Sequence, residues 1–148
     1  MIFFVLLGRF LYMSDKRNSF SKQEHLCGDK RIGRLFEHGT AFISHPFRII
    51  CFTEKSHTEH PPVKVLISVS KKRLKKAVSR NRIKRLIRES YRTNKQPLWT
   101  HLSQNGLIAD IAFQYISNDL SDYASIEKKM RKSLEKITHR INEPQKSN

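Results

Sequence analysis

The chain has 148 residues, 38% of them hydrophobic, so its length favours one domain with a single modest core. Its 29 lysines and arginines outnumber the 13 aspartates and glutamates, which gives a formal net charge of +16. Repulsion among so many positive charges destabilises a compact fold unless a polyanion is bound. Nucleic acid is therefore the favoured partner, and a membrane surface is the alternative.

The chain begins with an apolar stretch, MIFFVLLGRFLY, at residues 1–12. It is too short to cross a bilayer, which takes about 20 apolar residues. It also has neither the basic region before it nor the small-residue cleavage site after it that a signal peptide needs. We interpret residues 1–17 as a disordered or artefactual extension, with Met13 as a possible true start.

The first half of the domain predicts one helix followed by strands. Residues 28–38 carry apolar side chains at helical spacing, and Gly39 follows as the residue that ends the helix. Residues 41–53 are rich in β-branched and aromatic side chains, and Pro46 makes them either one bent strand or two. Residues 63–70 alternate in polarity, as a strand does.

The second half predicts two helices with a strand between them. Residues 76–92 form the first helix, and Pro97 closes that unit because the residue before a proline is pushed away from helical geometry. Asn105-Gly106 marks a turn, and residues 107–115 form a strand. Ser121 is the predicted cap of a long final helix whose apolar residues recur every three or four positions.

These elements follow the order α-β-β-β-α-β-α, which predicts the α+β class. The expected architecture is a single-domain α/β sandwich over residues 18–141, with the helices on one face of a small sheet. Residues 142–148 are expected to be a disordered tail.

The positive charge is concentrated in one segment of the chain. Residues 71–92 hold eleven basic residues and one acid, Glu89, for a net +10, so the other 126 residues carry only +6. A merely solubilised surface would spread its charge along the chain. The segment therefore indicates a nucleic-acid-binding patch.

A helix over this segment has two unlike faces. One face is an apolar stripe formed by Ile83, Leu86, Ile87 and Tyr91. The opposite face is polar and basic, formed by Asn81, Arg85, Arg88 and Arg92, with Lys84 at its margin. The planar fork of arginine pairs two donors with phosphate oxygens and stays charged, so this face predicts phosphate contacts. The narrow major groove of A-form RNA makes such contacts more typical of RNA than of sequence-specific DNA reading.

The run SVSKKRLKKAVSRNRIKRLIRES, residues 68–90, resembles the signature of the bacterial ribonuclease P protein family. Its centre is RNRIKR at residues 80–85, preceded by SKK at residues 70–72. Residues 35–39, LFEHG, are similar to the end of the family's first helix, and residues 110–113, DIAF, to its last strand. The resemblance covers residues 18–141.

The resemblance implies a fold like the second domain of ribosomal protein S5. In that fold the basic helix makes a left-handed β-α-β crossover, although general rules favour the right-handed form. It also implies a cytoplasmic protein subunit of the endoribonuclease ribonuclease P, in which an RNA subunit hydrolyses the 5′ leader from precursor tRNA. The implied partners are the ribonuclease P RNA and precursor tRNA, with no membrane and no small-molecule cofactor. Mg²⁺ is implied to be held mainly by the RNA subunit and the substrate.

The resemblance also implies which residues act. It implies that no residue of the protein is catalytic or binds a metal ion. The residues implied to bind the RNA subunit are Arg80, Asn81, Arg82, Lys84, Arg85 and Arg88. A cleft between the first helix and the sheet is implied to bind the single-stranded leader through Phe36, Arg48, Ile50 and Ser68, with Lys71 and Lys72 at its rim. An aromatic ring in such a cleft stacks on unpaired bases and tolerates any sequence.

Three other functions remain as alternatives: a ribosomal or other structural RNA-binding protein, a DNA-binding regulator and a stand-alone nuclease. The regulator would need a helix-turn-helix pair with base-reading side chains. The nuclease would need clustered carboxylates to hold two metal ions. The carboxylates of this chain are scattered, and Asp110 is interpreted as a turn cap before the last strand's apolar run. Cys27 and Cys51 form no zinc-binding pattern.

Overall fold

The computed structural model describes residues 20–56 and 59–143. The predicted extension at residues 1–17, with its possible start at Met13, lies outside the described residues. Of the predicted tail, residues 142 and 143 are described, and Asn142 is still the last residue of a helix. None of the helices in the described part of the chain is long and apolar enough to cross a membrane.

The described chain contains four α-helices and four strands in a mixed order. A short 3-10 helix, Lys22–Glu24, comes first. The helices are α1 Asp29–His38, α2 Ala77–Asn94, α3 Gln96–Gln104 and α4 Tyr123–Asn142. The strands are β1 Thr40–Ser44, β2 Phe47–Lys55, β3 Val63–Val69 and β4 Leu107–Tyr115. The α+β class and the order of the predicted elements are confirmed.

One four-stranded sheet is built in the order β1-β2-β4-β3. β1 and β2 form an antiparallel hairpin in which Ser44 pairs with Phe47, so the β region interrupted by Pro46 is two strands. β2 and β4 are antiparallel, whereas β3 and β4 are parallel and are connected through α2 and α3. The left hand of this crossover stays a prediction.

Helices cover both faces of the sheet, so the prediction that they share one face is wrong. One face carries the main core, in which Ile49 and Phe113 pack with side chains of α2, α3 and α4. The other face carries a smaller cluster, in which Leu35 of α1 packs on Ile50 and Ala112. Neighbouring residues of β2 and β4 point to opposite faces of the sheet. Because β4 is apolar at nearly every position, it contributes buried side chains to both faces.

Helix α3 was not predicted, because Pro97 was interpreted as the end of the preceding unit. Proline is tolerated in the first turn of a helix, where its missing N–H would have no intrahelical partner. Pro97 occupies that position in α3. Leu98 and Leu102 are then buried in the main core, and their burial stabilises the short helix.

One helix boundary differs from the predicted one, and another agrees with it for a different physical reason. The residue capping α4 is Asp122 rather than Ser121, since its carboxylate accepts the Ser125 N–H at 2.9 Å. Gly39 does end α1, but its φ of −71° is open to any residue. Glycine is needed there because an added Cβ would lie 2.3 Å from the Leu35 carbonyl oxygen and 2.8 Å from Ile50.

Candidate nucleic-acid interface

Helix α2 presents a basic surface because its other side is held in the core. Ile83, Ile87 and Tyr91 are fully buried, and Leu86 packs against the same cluster from a partly buried position. The phenol oxygen of Tyr91 accepts a hydrogen bond from the Trp99 indole at 3.0 Å, which ties α2 to α3. The predicted apolar stripe therefore fixes the direction in which the opposite face points.

The opposite face of α2, here called the arginine face, is rich in cations that reach solvent. It is formed by Asn81, Arg82, Arg85 and Arg88, all of which are exposed. The one acid of α2 is Glu89, which pairs with Arg92 at 2.6 Å and thereby has its pKa lowered. Arg92 was predicted to belong to the basic side of the helix, and its charge there is partly neutralised by Glu89.

Arg80, the first residue of the RNR sequence, has a structural contact as well as a charge. Its Nη1 atom donates hydrogen bonds to the carbonyl oxygens of Leu74 and Lys75, at 3.0 and 2.7 Å. These bonds fold the basic loop before α2 back onto the first turn of the helix. The guanidinium keeps further donors that can reach a phosphate.

A groove of about 430 Å³ runs beside the arginine face, between α2, β3 and the N-terminal segment. Lys84 and Arg88 of α2 line it, and Lys22 and His25 line it from the N-terminal side. The Leu26 N–H donates to the Val65 carbonyl at 2.9 Å, so the segment follows the edge of β3. Three cations from two distant parts of the sequence thus meet in one groove.

A buried ion pair holds the N-terminal segment in this position. Lys95 Nζ lies 2.6 Å from Glu24 Oε1, and both side chains are essentially inaccessible to solvent. The ammonium also lies 4.4 Å from the centre of the Trp99 ring. Burial lowers the pKa of Lys95 despite its acidic partner. The junction of α2 and α3 therefore anchors the segment that carries Lys22.

A row of polar side chains crosses the sheet on the face that α1 covers only in part. Arg48 on β2 pairs in register with Gln114 on β4, and Gln114 pairs with Ser68 on β3. Arg48 Nη1 donates to Gln114 Oε1 at 2.8 Å. Ile43 stands opposite Arg48 on β1 and is 63% exposed. We call these four residues the open row; with about 4.8 Å between strands it spans about 14 Å.

The other residues predicted to bind the leader lie in three different settings. Lys71 and Lys72 are exposed in the turn directly after β3, beside the open row. Phe36 is 45% exposed on α1. Ile50 is only 3% exposed and packs beneath α1 with Leu35 and Ala112. Its side chain belongs to the hydrophobic floor, and a direct contact of Ile50 with a leader stays a prediction.

A cluster of charges fixes α1 against the sheet, and Asp110 is its centre. Asp110 is 2% exposed in the middle of β4, so its interpretation as a turn cap is wrong. Arg31 donates to both of its carboxylate oxygens, with the shortest contacts at 2.9 Å, and also lies 3.0 Å from Glu59. Asp110 raises the pKa of Arg31, and Arg31 lowers that of Glu59. The helix beside the open row is therefore held in a set position.

Half of the twelve carboxylates in the described part of the chain are paired with lysine or arginine. Six of them pair with a lysine or arginine: Glu24, Glu54, Glu59, Glu89, Asp110 and Glu127. Within residues 20–56 and 59–143, no three histidine, cysteine or acidic side chains gather where a metal ion would fit. Mg²⁺ takes several oxygen ligands around one point, and the scattered carboxylates of the described residues do not supply such a set.

Three residues of this surface were missed in the sequence. Gln114 could have been predicted to lie on the second face of the sheet, because Asp110, Ala112 and Gln114 alternate with the large apolar residues of β4. Ile43 carries a weaker one, since its register depends on where the hairpin turns. Lys22 carries none, because only the folded chain brings it to Lys84 and Arg88.

Comparison with known proteins identifies the family. A family model described as Ribonuclease P matches residues 20–138, which include all the elements described above up to the last turn of α4. The chain belongs to the ribonuclease P protein family. The resemblance of residues 68–90 to the signature of this family is thereby confirmed.

Relatives in the ribonuclease P family match most of the chain. The ribonuclease P protein component of Porphyromonas gingivalis is 39% identical over 121 residues, covering 82% of this chain and 88% of the relative. That of Chlorobium phaeobacteroides is 35% identical over 133 residues, covering 84% and 88%.

Solved ribonuclease P proteins share the fold. That of Staphylococcus aureus is 25% identical, with a TM-score of 0.57 over 77% of this chain and 94% of the solved one. That of Thermotoga maritima is 21% identical, with a TM-score of 0.57 over 76% and 96%, and it supports the fold alone.

Proposed function

We propose that this chain is the protein subunit of a ribonuclease P ribonucleoprotein, binding its RNA subunit and precursor tRNA in the cytoplasm. The observation that carries the proposal is the arginine face of α2, which is poor in acids and is anchored by the buried Ile83, Ile87 and Tyr91. Family membership supplies the class of partner, since the relatives are ribonuclease P protein components. The role follows as assistance in removing the 5′ leader.

The arginine face suits the backbone of a folded RNA. Its exposed side chains are three guanidiniums and one amide, which provide many donors for phosphate oxygens. In A-form RNA the bases of the major groove are out of reach, so a protein reads mainly shape and backbone. Arg80, Arg82, Lys84, Arg85 and Arg88, with Asn81, are accordingly proposed to contact the RNA subunit. The groove adds Lys22 to this set.

The open row is the proposed track for the single-stranded leader. It is narrow and mostly polar: Arg48 can contact the backbone, Gln114 and Ser68 can form hydrogen bonds, and Ile43 is its one apolar member. Lys71 and Lys72 extend it at the β3 side, and Phe36 offers a partly exposed ring on which a base can stack. Few of these groups discriminate between bases. Such tolerance suits a subunit that meets many different leaders.

The hydrolysis itself is proposed to belong to the RNA subunit, with no catalytic residue supplied by the protein. Mg²⁺ is proposed to be held by the RNA subunit and the substrate, because the carboxylates of the described chain do not gather where a metal ion would fit. No small-molecule cofactor and no membrane take part. The contribution of the protein is to add positive charge where two RNA molecules approach each other.

The test is cleavage of a 5′-labelled precursor tRNA at a Mg²⁺ concentration too low for the RNA subunit alone. We expect leader release when the protein and a bacterial ribonuclease P RNA are combined, because added cations lower the Mg²⁺ needed to screen the phosphates. The protein alone and the RNA alone, at the same Mg²⁺, are the controls.

Two outcomes would contradict the proposal. Cleavage by the RNA-free protein would identify a stand-alone nuclease. Tight binding to the RNA subunit without any lowering of the Mg²⁺ requirement would leave only a structural RNA-binding protein.

A further inference from the structure

Helix α4 carries a second basic surface that the family's RNR sequence does not include. It accounts for +4 of the +6 charges found outside residues 71–92. Four of its cations are separated by three or four residues and so form one line along the helix: Lys129, Lys132, Lys136 and Arg140. All four are exposed. At 1.5 Å per residue this line, the α4 stripe, is about 16 Å long.

Of the two acids of α4, Glu127 lies away from the α4 stripe, whereas Glu135 is exposed three residues after Lys132. Glu127 lies on the flank that faces α2, where it pairs with Arg131 at 3.0 Å and accepts a hydrogen bond from Asn94 at 3.3 Å. Within the described residues, no ion pair involves a member of the stripe. Glu143 follows the end of the helix, beyond Arg140. The stripe thus carries four cations against one nearby acid, Glu135, and none of them forms an ion pair with it.

Contacts with β1 set the direction of the stripe. Ser133 donates a hydrogen bond to the Ser44 hydroxyl at 2.9 Å, and the Arg140 guanidinium lies 4.3 Å from the centre of the Phe42 ring. β1 is the edge strand farthest from β3, beside which the arginine face of α2 stands. The two basic surfaces therefore lie toward opposite edges of the sheet.

An ordinary solvated face accounts poorly for the stripe. Like charges three and four residues apart destabilise a helix, and surface helices usually intersperse acids to relieve this. The helix dipole favours a cation in the last turn and so accounts for Arg140, but Lys129 and Lys132 lie in the middle of the helix. A bound polyanion would relieve the repulsion along the whole line.

We propose that the α4 stripe binds the phosphate backbone of a double-helical RNA other than the RNA held by α2. Three lysines and one arginine provide point charges without base-reading amides, and the ring of Phe42 is covered by Arg140, so no platform is left for unpaired bases. This chemistry fits a duplex, whose backbone is regular and whose bases are shielded. The proposal rests on the proposed function, in which α2 holds the RNA subunit, and adds a second RNA to it.

The test measures binding of a 24-base-pair RNA duplex to the full chain preassembled with the ribonuclease P RNA, using fluorescence anisotropy over a range of salt. The stripe variant is Lys132→Gln with Lys136→Gln. The matched control is Lys30→Gln with Lys55→Gln, which removes the same charge from exposed positions on α1 and β2. We expect the stripe variant to reduce the slope of log K against log salt by about two, and the control to leave it unchanged.

Each other outcome overturns the proposal. Equal losses in both double variants would mean that only net charge matters. A preassembled complex that does not bind the duplex would mean that the RNA subunit itself covers the stripe. Circular dichroism of the variants excludes misfolding. The two proposals can fail separately. If leader cleavage fails, the proposed function is contradicted, and binding of the duplex to the free chain then tests the α4 stripe by itself.

Discussion

Asp110 is a buried carboxylate in a strand whose other residues are mostly apolar. A lone ionised group at that depth would be strongly destabilising, but Arg31 donates to both of its oxygens and Arg34 lies 3.6 Å away. The Arg34 guanidinium in turn lies over the Phe52 ring at 4.8 Å. One acidic side chain therefore holds two arginines of α1 against the sheet.

Replacing Asp110 with asparagine is expected to lower the free energy of unfolding by about 2–3 kcal/mol. This is somewhat less than the 3–5 kcal/mol typical of breaking a fully buried pair, because the Arg31 side chain is 24% exposed and keeps Glu59 as a partner. Urea denaturation measures the change. Glu37→Gln is the control, since Glu37 is exposed on the same helix and should change stability by less than about 0.5 kcal/mol. A loss no greater than that of the control would show that the cluster does not fix α1.

The role of Asp110 could not be predicted from the sequence. The strand over residues 107–115 was predicted with its observed bounds, yet the acid inside it was interpreted as a turn cap. Its partners lie 76 and 79 residues earlier, on a helix expected to share a face with the other helices. The physical reason is that ion pairs between distant segments leave no periodic signal in the sequence.

At the level of elements, the two faces of α2 separate stability from binding. Ile87 is fully buried in the main core, whereas Val78, on the same helix, is 81% exposed. The apolar stripe determines how α2 is held, and the arginine face determines what it can contact. Both were readable from the sequence because a 3.6-residue period marks each of them directly.

Ile87→Ala is expected to destabilise the protein by about 2–5 kcal/mol, through lost burial and the cavity that remains. Val78→Ala is the matched control, and a change within about 0.5 kcal/mol is expected because no core contact is lost. Denaturant midpoints of the two variants make the comparison. Equal midpoints would contradict the burial of this stripe.

Helix α3 could not be predicted by the same route. It has nine residues, begins beside a proline and owes its stability to Leu98 and Leu102 in a core made by other elements. Short helices of this kind are marginal in isolation and depend on tertiary packing. The N-terminal segment is a similar case, because the Glu24–Lys95 pair that anchors it joins residues 71 positions apart.

At the scale of the whole molecule, the three surfaces proposed to contact RNA lie at different parts of the sheet. The arginine face lies beside β3, the open row crosses the sheet face next to α1, and the α4 stripe lies along β1. The sequence predicted the charge, the basic helix and most of the residues now grouped in the first two surfaces. It could not predict which helix covers which face, since a sheet buried on both sides has strands without a clear polar side.

The most direct test of the arginine face is the salt dependence of binding to the ribonuclease P RNA by Arg85→Ala and Arg88→Ala, with Arg131→Ala as the control on another helix. Each α2 variant should reduce the slope of log K against log salt by about one, because each loses one phosphate contact. Arg131→Ala should leave the slope unchanged. Slopes equal to that of the unmodified protein for both Arg85→Ala and Arg88→Ala would mean that these side chains stay in water within the complex, which contradicts their proposed role.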